Sequence, residues 1–368
     1  MIHPDTNLAI DAVGAKHSGA AQVALAIVEA AGRSPRVART IAFVSPPDVS
    51  EVPWPVRPSL ISVPIPSAES AAGRMWWQAR ALAGAARRHG ATRLLTLSGG
   101  GVAPGGLPVT MFIQQSLPFS REACATLSAA GRVRIAVIRQ VMLASARRAS
   151  GVIVQGEAMA DLVAPAIPLA RGRVRIVRPG LPPDIAAAAG PGETRADSHD
   201  ARAPRLLYVG NASRYKNHAV ISRAMPILAS RGLRPEWRAT LVPPDVLRSS
   251  RVTVLGLLDR ARLIEEYRRA TCLVMPSLVE SFGFPLLESM ALSTPIVAAD
   301  RPYAREVCGD AALYFDPHDP EQLADCVTRL AGDQQLREDL ATRGRARAAT
   351  FAVGDPYLGL IDAALELP

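Results

Sequence analysis

Short apolar runs alternate with stretches of helical period along the first half of the chain. The run NLAIDAV at 7–13 predicts a buried strand, a small-residue loop at 14–20 follows it, and AAQVALAIVEAAG then has the period of a helix. The same pattern predicts strands at 40–45, 60–65, 93–98, 108–114, 151–155 and 173–180, and helices at 70–88 and 128–149. Because strands that alternate with helices pair in parallel, the pattern predicts a doubly wound α/β sheet.

Residues 181–204 interrupt this pattern and predict a boundary between two domains. Pro, Gly, Ala and acidic residues replace the periodic positions there, which is typical of a linker. A second series of predicted strands follows, at 205–211, 237–242, 252–256, 271–277, 294–300 and 311–317. The sequence therefore predicts an α/β domain over residues 1–182, a linker over 183–204 and a second α/β domain over 205–350.

The composition narrows the class of protein. Hydrophobic residues make up 49% and charged residues 20% of the 368, which is globular and excludes a disordered chain. No apolar run approaches the roughly 20 residues that span a bilayer, and the first residues lack the basic region of a signal peptide. The four cysteines are widely spaced, so we expect neither a disulfide framework nor a zinc site, and a cytoplasmic location.

The net charge of +9 is distributed unevenly. Residues 1–182 hold 20 Lys/Arg and 9 Asp/Glu, a net +11, whereas residues 183–368 hold 22 and 24, a net −2. The excess favours an anionic partner for the first half. Aromatic residues are only 5% and do not interleave with the basic ones, so no nucleic-acid partner is expected. An anionic membrane surface or a phosphorylated acceptor fits, and the alternative is an Arg-rich surface that reflects the composition of the genome.

Only two of the 42 basic residues are lysines, Lys16 and Lys216. An ammonium is a compact point charge that suits contact with a phosphate oxygen in a tight site. Both lysines fall in loops after predicted strands, which makes them candidates for phosphate contacts.

The densest chemical signal lies between 272 and 309. Two carboxylates, Glu280 and Glu288, flank the loop Ser281-Phe282-Gly283-Phe284-Pro285. Pro285 suits the first turn of a helix, so we expect Glu288 on that turn. Backbone N–H groups that open a helix bind anions, and a nearby carboxylate can accept from a ribose diol. The alternative is that Glu288 only favours its helix dipole.

These motifs carry a resemblance to a family. The E-x7-E spacing, the PS-x-x-ESFG-x-P segment and the run from P-IVAAD to GDAALYFDP resemble family 4 glycosyltransferases, and among them bacterial mannosyl- and rhamnosyltransferases of surface polysaccharide assembly. The resemblance is dense over 205–350 and thinner before the linker. It implies a GT-B fold, in which two Rossmann-like domains face each other across a cleft. It also implies that residues 351–368 form a helix that packs back on the N-terminal, acceptor-binding domain.

The resemblance implies a role for each matching residue of the donor site. Lys216 would neutralise the leaving diphosphate, Glu280 would contact the donor sugar, and Glu288 would bind the ribose. The remaining donor contacts would come from the segment after the first strand of the second domain and from the loop between the carboxylates: Gly210, Asn211, Ser281, Phe282, Gly283 and Phe284.

Two positions depart from the pattern of the family. In the family, an arginine often follows the first glycine after the first strand of the second domain. Here that glycine is Gly210 and the next residue is Asn211. Arg214 is our candidate for a second catalytic cation. A histidine that in many relatives touches the donor sugar is replaced by Gln114-Gln115. Glutamine cannot act as a general base at neutral pH. The resemblance therefore implies retention of configuration by front-side attack that the leaving phosphate assists, with no enzymic nucleophile.

The acceptor side is less specific. Gly14, Lys16 and His17 lie in the first loop, which in relatives faces the cleft, and we include Gln114 and Gln115 as substrate-binding candidates. His218 and His318 are interpreted as structural. No D-x-D motif occurs, which agrees with a metal-independent enzyme that has a nucleotide-sugar substrate and no cofactor. A GDP-sugar is favoured over a UDP-sugar.

Three functions remain open from the sequence. The first is transfer of a mannose- or rhamnose-type sugar to a glycan or a lipid-diphosphate-linked acceptor, at the inner face of the plasma membrane if the basic half binds lipid. The second is transfer to a small soluble natural product. The third is a catalytically inactive nucleotide-binding partner, which the departures at Asn211 and Gln114 would support.

Overall fold

The structure is a computed structural model that describes residues 6–15, 18–46, 54–55, 57–66, 70–100, 106–167, 172–190, 200–241, 252–352 and 354–367. The chain divides into two compact units. Unit 1 comprises Met1–Phe119, Val133–Pro179 and Asp355–Pro368, and unit 2 comprises Ser120–Arg132 and Gly180–Gly354.

Each unit is built on one parallel sheet, as the alternating pattern predicts. The strands are β1 (Thr6–Asp11), β2 (Val37–Val44), β3 (Leu60–Pro64), β4 (Arg93–Thr96), β5 (Val109–Phe112), β6 (Gly151–Val154), β7 (Val174–Ile176), β8 (Arg205–Tyr208), β9 (Glu236–Ala239), β10 (Val252–Val254), β11 (Cys272–Met275), β12 (Ile296–Ala299) and β13 (Leu313–Phe315). The order in unit 1 is β3-β2-β1-β4-β5-β6-β7 and in unit 2 it is β10-β9-β8-β11-β12-β13. The central strands are buried, which explains why they read as continuous apolar runs.

Helices connect the strands. They are α1 (Ser18–Arg33), α2 (Ala71–Trp76), α3 (Leu82–Arg88), α4 (Arg121–Ala125), α5 (Ala129–Arg148), α6 (Glu157–Val163), α7 (Pro183–Ala188), α8 (His218–Ser230), α9 (Arg260–Arg269), α10 (Phe284–Ala291), α11 (Pro302–Cys308), α12 (Pro320–Gly332), α13 (Gln334–Ala349) and α14 (Pro356–Glu366). A π-helical turn, Trp77–Ala81, joins α2 to α3, and a 3-10 turn, Arg214–Lys216, precedes α8.

Both sheets reverse their strand order at one point, between β1 and β4 in unit 1 and between β8 and β11 in unit 2. In open parallel sheets, ligands bind outside the carboxyl ends of the strands at such a switch point. The loops that leave these four strands carry Gly14, Ser98, Lys216 and Glu280. The topology therefore places the motifs of the sequence analysis where α/β folds bind ligands.

The boundary between the units differs from the predicted linker over 183–204. The structure assigns the chain to unit 2 from Gly180 onward, and the first part of the predicted linker is the helix α7. Asp184 of this helix forms an ion pair with Arg260 of α9, with 2.5 Å between Oδ2 and Nε. The segment PPDIAAAAG is too short to display helical period, which is why the sequence pattern did not distinguish it from a linker.

A segment of the first half, 120–132, belongs to unit 2 rather than to the predicted domain 1–182. It begins with α4, whose Glu122 places Oε1 at 2.5 Å from Nη2 of Arg301 and at 2.6 Å from Nε2 of His318. His318 therefore has a structural contact in the turn between β13 and α12.

The last helix, α14, belongs to unit 1 and packs on α1. Arg36 donates to Asp362 at 2.8 Å, and Arg93 donates to the carbonyl of Leu367 at 2.6 Å. The side chain of Leu367 lies against Gly151 at the start of β6. The C-terminal residues thus complete one face of the first sheet.

Candidate active site

Lys216 is placed by a short turn after β8. The turn Arg214–Lys216 closes through the N–H of Lys216, which donates to the carbonyl of Ser213 at 3.0 Å. Asn217 follows with a φ of 57°, the left-handed conformation that asparagine tolerates, and α8 begins after it. The N–H of Leu278 donates to the carbonyl of Tyr215 at 3.0 Å, so this turn is tied directly to the loop after β11.

Lys216 and Glu280 form an ion pair, with 2.5 Å between Nζ and Oε1. The side chains are 10% and 14% exposed, so the pair is shielded from bulk water but reachable. Burial alone would lower the pKa of Lys216, but the charge of Glu280 and the hydrogen bond to it outweigh burial and hold that pKa above its usual value. The ammonium is therefore charged at neutral pH and already faces an anion.

Gly283 shapes the loop that leads into α10. Its φ of 101° is one that other residues rarely adopt, and a Cβ there would lie 3.2 Å from Leu286. Gly283 caps α10, and the loop side chains Phe282 and Phe284 pack on each other with ring centroids 5.4 Å apart. The first turn of the helix, where the N–H of Leu286 donates to the carbonyl of Gly283 at 2.9 Å, therefore follows closely after Glu280 and the half-buried Ser281.

Glu288 lies one residue deeper in the helix than expected, just beyond the first turn. Because the helix begins at Phe284, Pro285 is its second residue and Glu288 its fifth, with no acidic residue in the first turn. The expectation that Glu288 sits on the first turn is therefore wrong, and the alternative that it only favours the helix dipole loses its basis.

Both oxygens of Glu288 have partners on α9. Arg260 Nη1 donates to Oε1 at 3.0 Å, and the hydroxyl of Tyr267 donates to Oε2 at 2.8 Å. Glu288 is only 5% exposed. Burial raises the pKa of Glu288, and the charge of Arg260 and the hydrogen bond from Tyr267 offset this only in part. The side chain is a buried acid that depends on its partners to stay ionised.

Gly210 is held by a residue that follows β9, and Asn211 is held within its own loop. A Cβ on Gly210 would lie 2.4 Å from the hydroxyl of Tyr208, so only glycine fits there. The N–H of Gly210 donates to Thr240 Oγ1 at 2.9 Å, and the side chain of Asn211 accepts from the N–H of Ser213 at 3.0 Å. Asn211 and Arg214 are exposed, on the same loop as Lys216.

The acceptor-side candidates that the structure describes lie in unit 1. The N–H of Gly14, directly after β1, donates to Ser45 Oγ at 3.1 Å. The side chain of Gln114 donates to the carbonyl of Leu97 at 3.1 Å, and Gln115 is exposed. Lys16 and His17 lie outside the described residues.

Sequence reasoning missed an acidic residue at the switch point of unit 1. Asp11, the last residue of β1, is fully buried and accepts from Gln78 Nε2 at 2.7 Å and from the N–H of Val13 at 3.3 Å. The same Gln78 nitrogen lies 2.6 Å from Ser98 Oγ, at the end of the neighbouring strand β4. Burial raises the pKa of Asp11 to about 6, against the hydrogen bonds that it accepts. An acid inside the apolar run NLAIDAV was the available signal.

The residues that support Glu288 were also missed. Arg260, Tyr267 and Asp184 are 21 to 104 residues away from Glu288 in the sequence. Arg260 directly follows the helix-capping Asp259, where a charged residue is ordinary. No local motif marks such a cluster, since its members meet only in the folded unit.

The described residues contain neither a membrane-spanning helix nor a cluster of metal ligands. None of the helices there is long and apolar enough to cross a membrane. Likewise, no group of three or more His, Cys, Asp or Glu side chains in that part of the chain could hold a metal ion.

Comparison with known sequences supports the motif assignments of the second half. Residues 203–333 match the family described as Glycosyl transferases group 1. O-antigen chain mannosyltransferase B of Escherichia coli is 31% identical over 125 residues, which cover 34% of this chain and 29% of the relative. D-inositol 3-phosphate glycosyltransferase of Thermobifida fusca (strain YX) is 32% identical over 182 residues, which cover 43% of this chain and 41% of the relative. The chain thus spans less than half of the length of each relative.

Solved structures are similar over nearly the whole chain. Sucrose-phosphate synthase of Thermosynechococcus elongatus has a TM-score of 0.76 at 17% identity, covering 99% of both chains. WaaG, a glycosyltransferase involved in lipopolysaccharide biosynthesis, has a TM-score of 0.69 at 15% identity, covering 98% of this chain and 99% of its own. Alr3699/HepE of Anabaena, solved with UDP and glucose, has a TM-score of 0.68 at 16% identity, covering 98% of this chain and 99% of its own. These likenesses confirm the predicted GT-B fold of two Rossmann-like domains, and the family match confirms the resemblance to group 1 glycosyltransferases.

Proposed function

We propose that this chain is a retaining glycosyltransferase of family 4 that moves a sugar from a nucleotide-diphosphate donor to a glycan or lipid-diphosphate-linked acceptor. The observation that carries the proposal is the buried ion pair of Lys216 and Glu280 at the switch point of unit 2. It lies within the residues that match Glycosyl transferases group 1, beside the N-terminus of α10.

Lys216 is suited to the leaving diphosphate. As the bond between the sugar and the diphosphate breaks, negative charge grows on the phosphate oxygens. A cation already fixed at that place lowers the barrier without reorganising solvent. Lys216 can exchange Glu280 for a phosphate oxygen, and the exposed Arg214 on the same turn can supply a second cation. The N–H groups that begin α10 add to the positive potential.

Glu280 is suited to the donor sugar. It directly precedes Ser281, Phe282 and Gly283, the loop that we assign to the sugar and the diphosphate. Once Lys216 turns to the phosphate, both carboxylate oxygens of Glu280 become available to sugar hydroxyl groups. The pair therefore couples entry of the donor to exposure of the group that recognises its sugar.

Glu288 is suited to the ribose of the donor. An ionised carboxylate offers about four lone-pair sites, of which Arg260 and Tyr267 occupy two. Two sites remain, which equals the number of hydroxyl groups in a ribose 2′,3′-diol.

For the reaction we propose front-side displacement. The bond from the anomeric carbon to the diphosphate oxygen breaks, and the acceptor oxygen bonds to that carbon on the same face. The acceptor proton passes to the departing phosphate, so no enzymic base is needed. Gln114 at the end of the fifth strand of unit 1 could only donate and accept hydrogen bonds. No step in this scheme uses a metal ion.

The sugar is proposed to be of the mannose or rhamnose type, with a GDP donor favoured over UDP. The relative that is an O-antigen chain mannosyltransferase supports the sugar and surface polysaccharide assembly. The neighbour solved with UDP and glucose supports a nucleotide-sugar donor but favours the other base.

An anionic membrane surface is the proposed location of the acceptor. On α2, Trp76 is 59% exposed, with Met75 beside it and the exposed Arg80 one turn on. Exposed Val133 and Val137 lie among arginines on α5. Apolar side chains among cations suit the interface of an anionic bilayer. Binding to vesicles that contain an anionic lipid should weaken as salt is added. Equal binding to neutral vesicles, or none at low salt, would favour a soluble acceptor.

The central experiment measures release of nucleoside diphosphate from GDP-, UDP-, ADP- and dTDP-sugars by the full chain, with and without a lipid-linked or glycan acceptor. Slow release without acceptor, abolished in Lys216→Ala, supports the proposal. Stabilisation by a nucleotide without any release, even with acceptors, would instead indicate a catalytically inactive nucleotide-binding partner.

A further inference from the structure

Two side chains of α9 hold the two oxygens of Glu288 separately. Arg260 and Tyr267 are seven residues apart, two helical turns, and therefore lie on the same face of α9. Arg260 donates a hydrogen bond to Oε1, and Tyr267 donates one to Oε2. Together they fix the plane of the carboxylate from one rigid element.

Arg260 is itself held from a third helix. Asp184 of α7 accepts from Nε at 2.5 Å and from Nη2 at 3.3 Å, which uses one edge of the guanidinium. The remaining Nη1 is thereby turned toward Glu288. A planar fork of this kind orients its second partner, which a flexible ammonium would not do.

Few charged groups face Glu288. Arg260 and Tyr267 face it from α9 and Asp184 from α7. The helices α11 and α13 also pack on α10, but Arg305 of α11 pairs with Asp300, and Arg345 of α13 donates to Ser293. Among the described residues, Arg260 is the cation that compensates the buried carboxylate.

We propose that Arg260 is a positioning residue that holds Glu288, charged and in one orientation, for the ribose hydroxyls of the donor, and that Asp184 holds Arg260 in place. The inference rests on the proposed function, because it assigns the two remaining acceptor sites of Glu288 to a ribose. A buried carboxylate that lost its cation would take up a proton and lose acceptor strength.

The experiment compares Arg260→Gln with a matched control, Arg231→Gln. Arg231 also bridges two carboxylates of unit 2, Glu321 at 2.9 Å and Asp325 at 2.8 Å, and both arginine side chains are 28% exposed. Arg231 lies at the end of α8 and is not part of the proposed site. Differences between the variants therefore report on what Arg260 faces rather than on loss of an arginine.

The first measurement is the dissociation constant of GDP and of UDP, by calorimetry, between about pH 6 and about pH 8.5. We expect Arg260→Gln to weaken binding about 10-fold at the acidic end, because loss of the cation raises the pKa of Glu288 further and favours its protonated form, and to recover as pH rises. Wild type and Arg231→Gln should show parallel, flatter profiles. Arg260→Lys should restore the profile in part, because it keeps the charge without the fork.

The second measurement needs no ligand. In Arg260→Gln, the pKa of Glu288 rises further above its unfolded value, so the stability that the neutral acid contributes is lost as pH rises through the folded pKa. The difference in unfolding free energy between wild type and Arg260→Gln should therefore grow from pH 5 to pH 8. For Arg231→Gln it should stay nearly constant.

The outcomes separate this inference from the proposed function. If wild type binds none of the nucleoside diphosphates whose release is measured above, the donor site is wrong and the role assigned to Arg260 is wrong with it. If wild type binds a nucleotide but Arg260→Gln binds equally well at every pH, the donor site stands and the role of Arg260 is overturned. A stability difference that does not change with pH would also overturn it.

Discussion

The two switch points of this chain share a topology but differ in chemistry. Each lies between the first and fourth strands of a parallel sheet. In unit 2 the loops at this point bring together a cation and an acid, Lys216 and Glu280, whose side chains are mostly buried but keep 10% and 14% of their surface exposed. In unit 1 the last residue of β1, the fully buried acid Asp11, contacts the uncharged Gln78 of the π-helical turn, which also contacts Ser98.

The difference shows that fold and chemistry are set separately. One strand order produces a pair of opposite charges within reach of solvent in one unit, and in the other a buried acid whose partners are uncharged, so the function has to be argued from side chains. The charged pair suits a substrate whose charge changes during reaction. The buried acid with its uncharged partners, Gln78 and Ser98, suits holding two strand ends in fixed positions.

The largest expected effect comes from removing the cation of unit 2. Lys216→Ala should lower kcat by about 100-fold, comparable to loss of one oxyanion donor, because Lys216 acts on charge that develops as the diphosphate leaves. Lys216→Arg should restore only part of the lost kcat, since the guanidinium is larger and differently hydrated than the ammonium. Steady-state kinetics on variants checked by circular dichroism measure this. A wild-type kcat in Lys216→Ala would remove the basis for contrasting the two switch points.

The next largest effect should distinguish the role of Glu288 from that of Glu280. Glu288→Gln should raise the donor KM with little change in kcat, a loss of about 1–3 kcal/mol in binding that is equal in ground and transition states. Glu280→Gln should lower kcat and change sugar selectivity. Initial rates over a donor concentration series distinguish these results, and identical effects of both variants would refute separate roles.

A third prediction concerns the C-terminal segment that only unit 1 contains. A Cβ on Gly151 would lie 2.6 Å from Leu367 and 2.9 Å from the carbonyl of Arg173. Gly151→Ala should therefore lower the unfolding free energy by about 1–3 kcal/mol, as overpacking does. The control is Gly332→Ala in unit 2, where no atom lies within 4 Å of the added carbon. Denaturant unfolding tests both, and equal stability of the two variants would contradict the packing of α14 on unit 1.

The smallest expected effect tests the buried acid of unit 1, Asp11. The pKa of Asp11 is about 6 in the fold against 3.8 as its ordinary value. The stability that the protonated acid contributes is complete below pH 3.8 and is lost as pH rises through 6. Wild type should therefore lose about 1.4 kcal/mol from this group between pH 5 and pH 8, and Asp11→Asn should lack that loss. Urea unfolding at both pH values measures the difference, and unchanged pH dependence in the variant would show that Asp11 is not the source.

The sequence was most informative where a physical signal is local. Buried parallel strands are continuous apolar runs, so the strands from NLAIDAV to AALYFDP could be predicted to within a few residues. The ESFG segment concentrates the donor-site residues within one turn and one helix, so its motif was readable.

The features that could not be predicted from the sequence depend on contacts between distant parts of the chain. The six residues of α7 are too few to show a period, and the pairing of Asp184 with Arg260 spans 76 positions. The start of α10 was misjudged by one residue, because the backbone conformation of Gly283 makes it the cap and Phe284, not Pro285, the first helical residue. Asp11 could be recognised from the sequence as an acid in an apolar run, but its pairing with Gln78, 67 residues away, could not be predicted.

The chain passes between the two units four times, at Phe119, Arg132, Pro179 and Gly354. A genetic recombination event that joined the first half of this protein to the second half of a relative near residue 182 would therefore exchange more than one unit. It would separate Glu122 of α4 from its partners Arg301 and His318. It would also separate α14 from α1, on which it packs. We expect functional chimaeras to inherit 120–132 together with the second half and 355–368 together with the first.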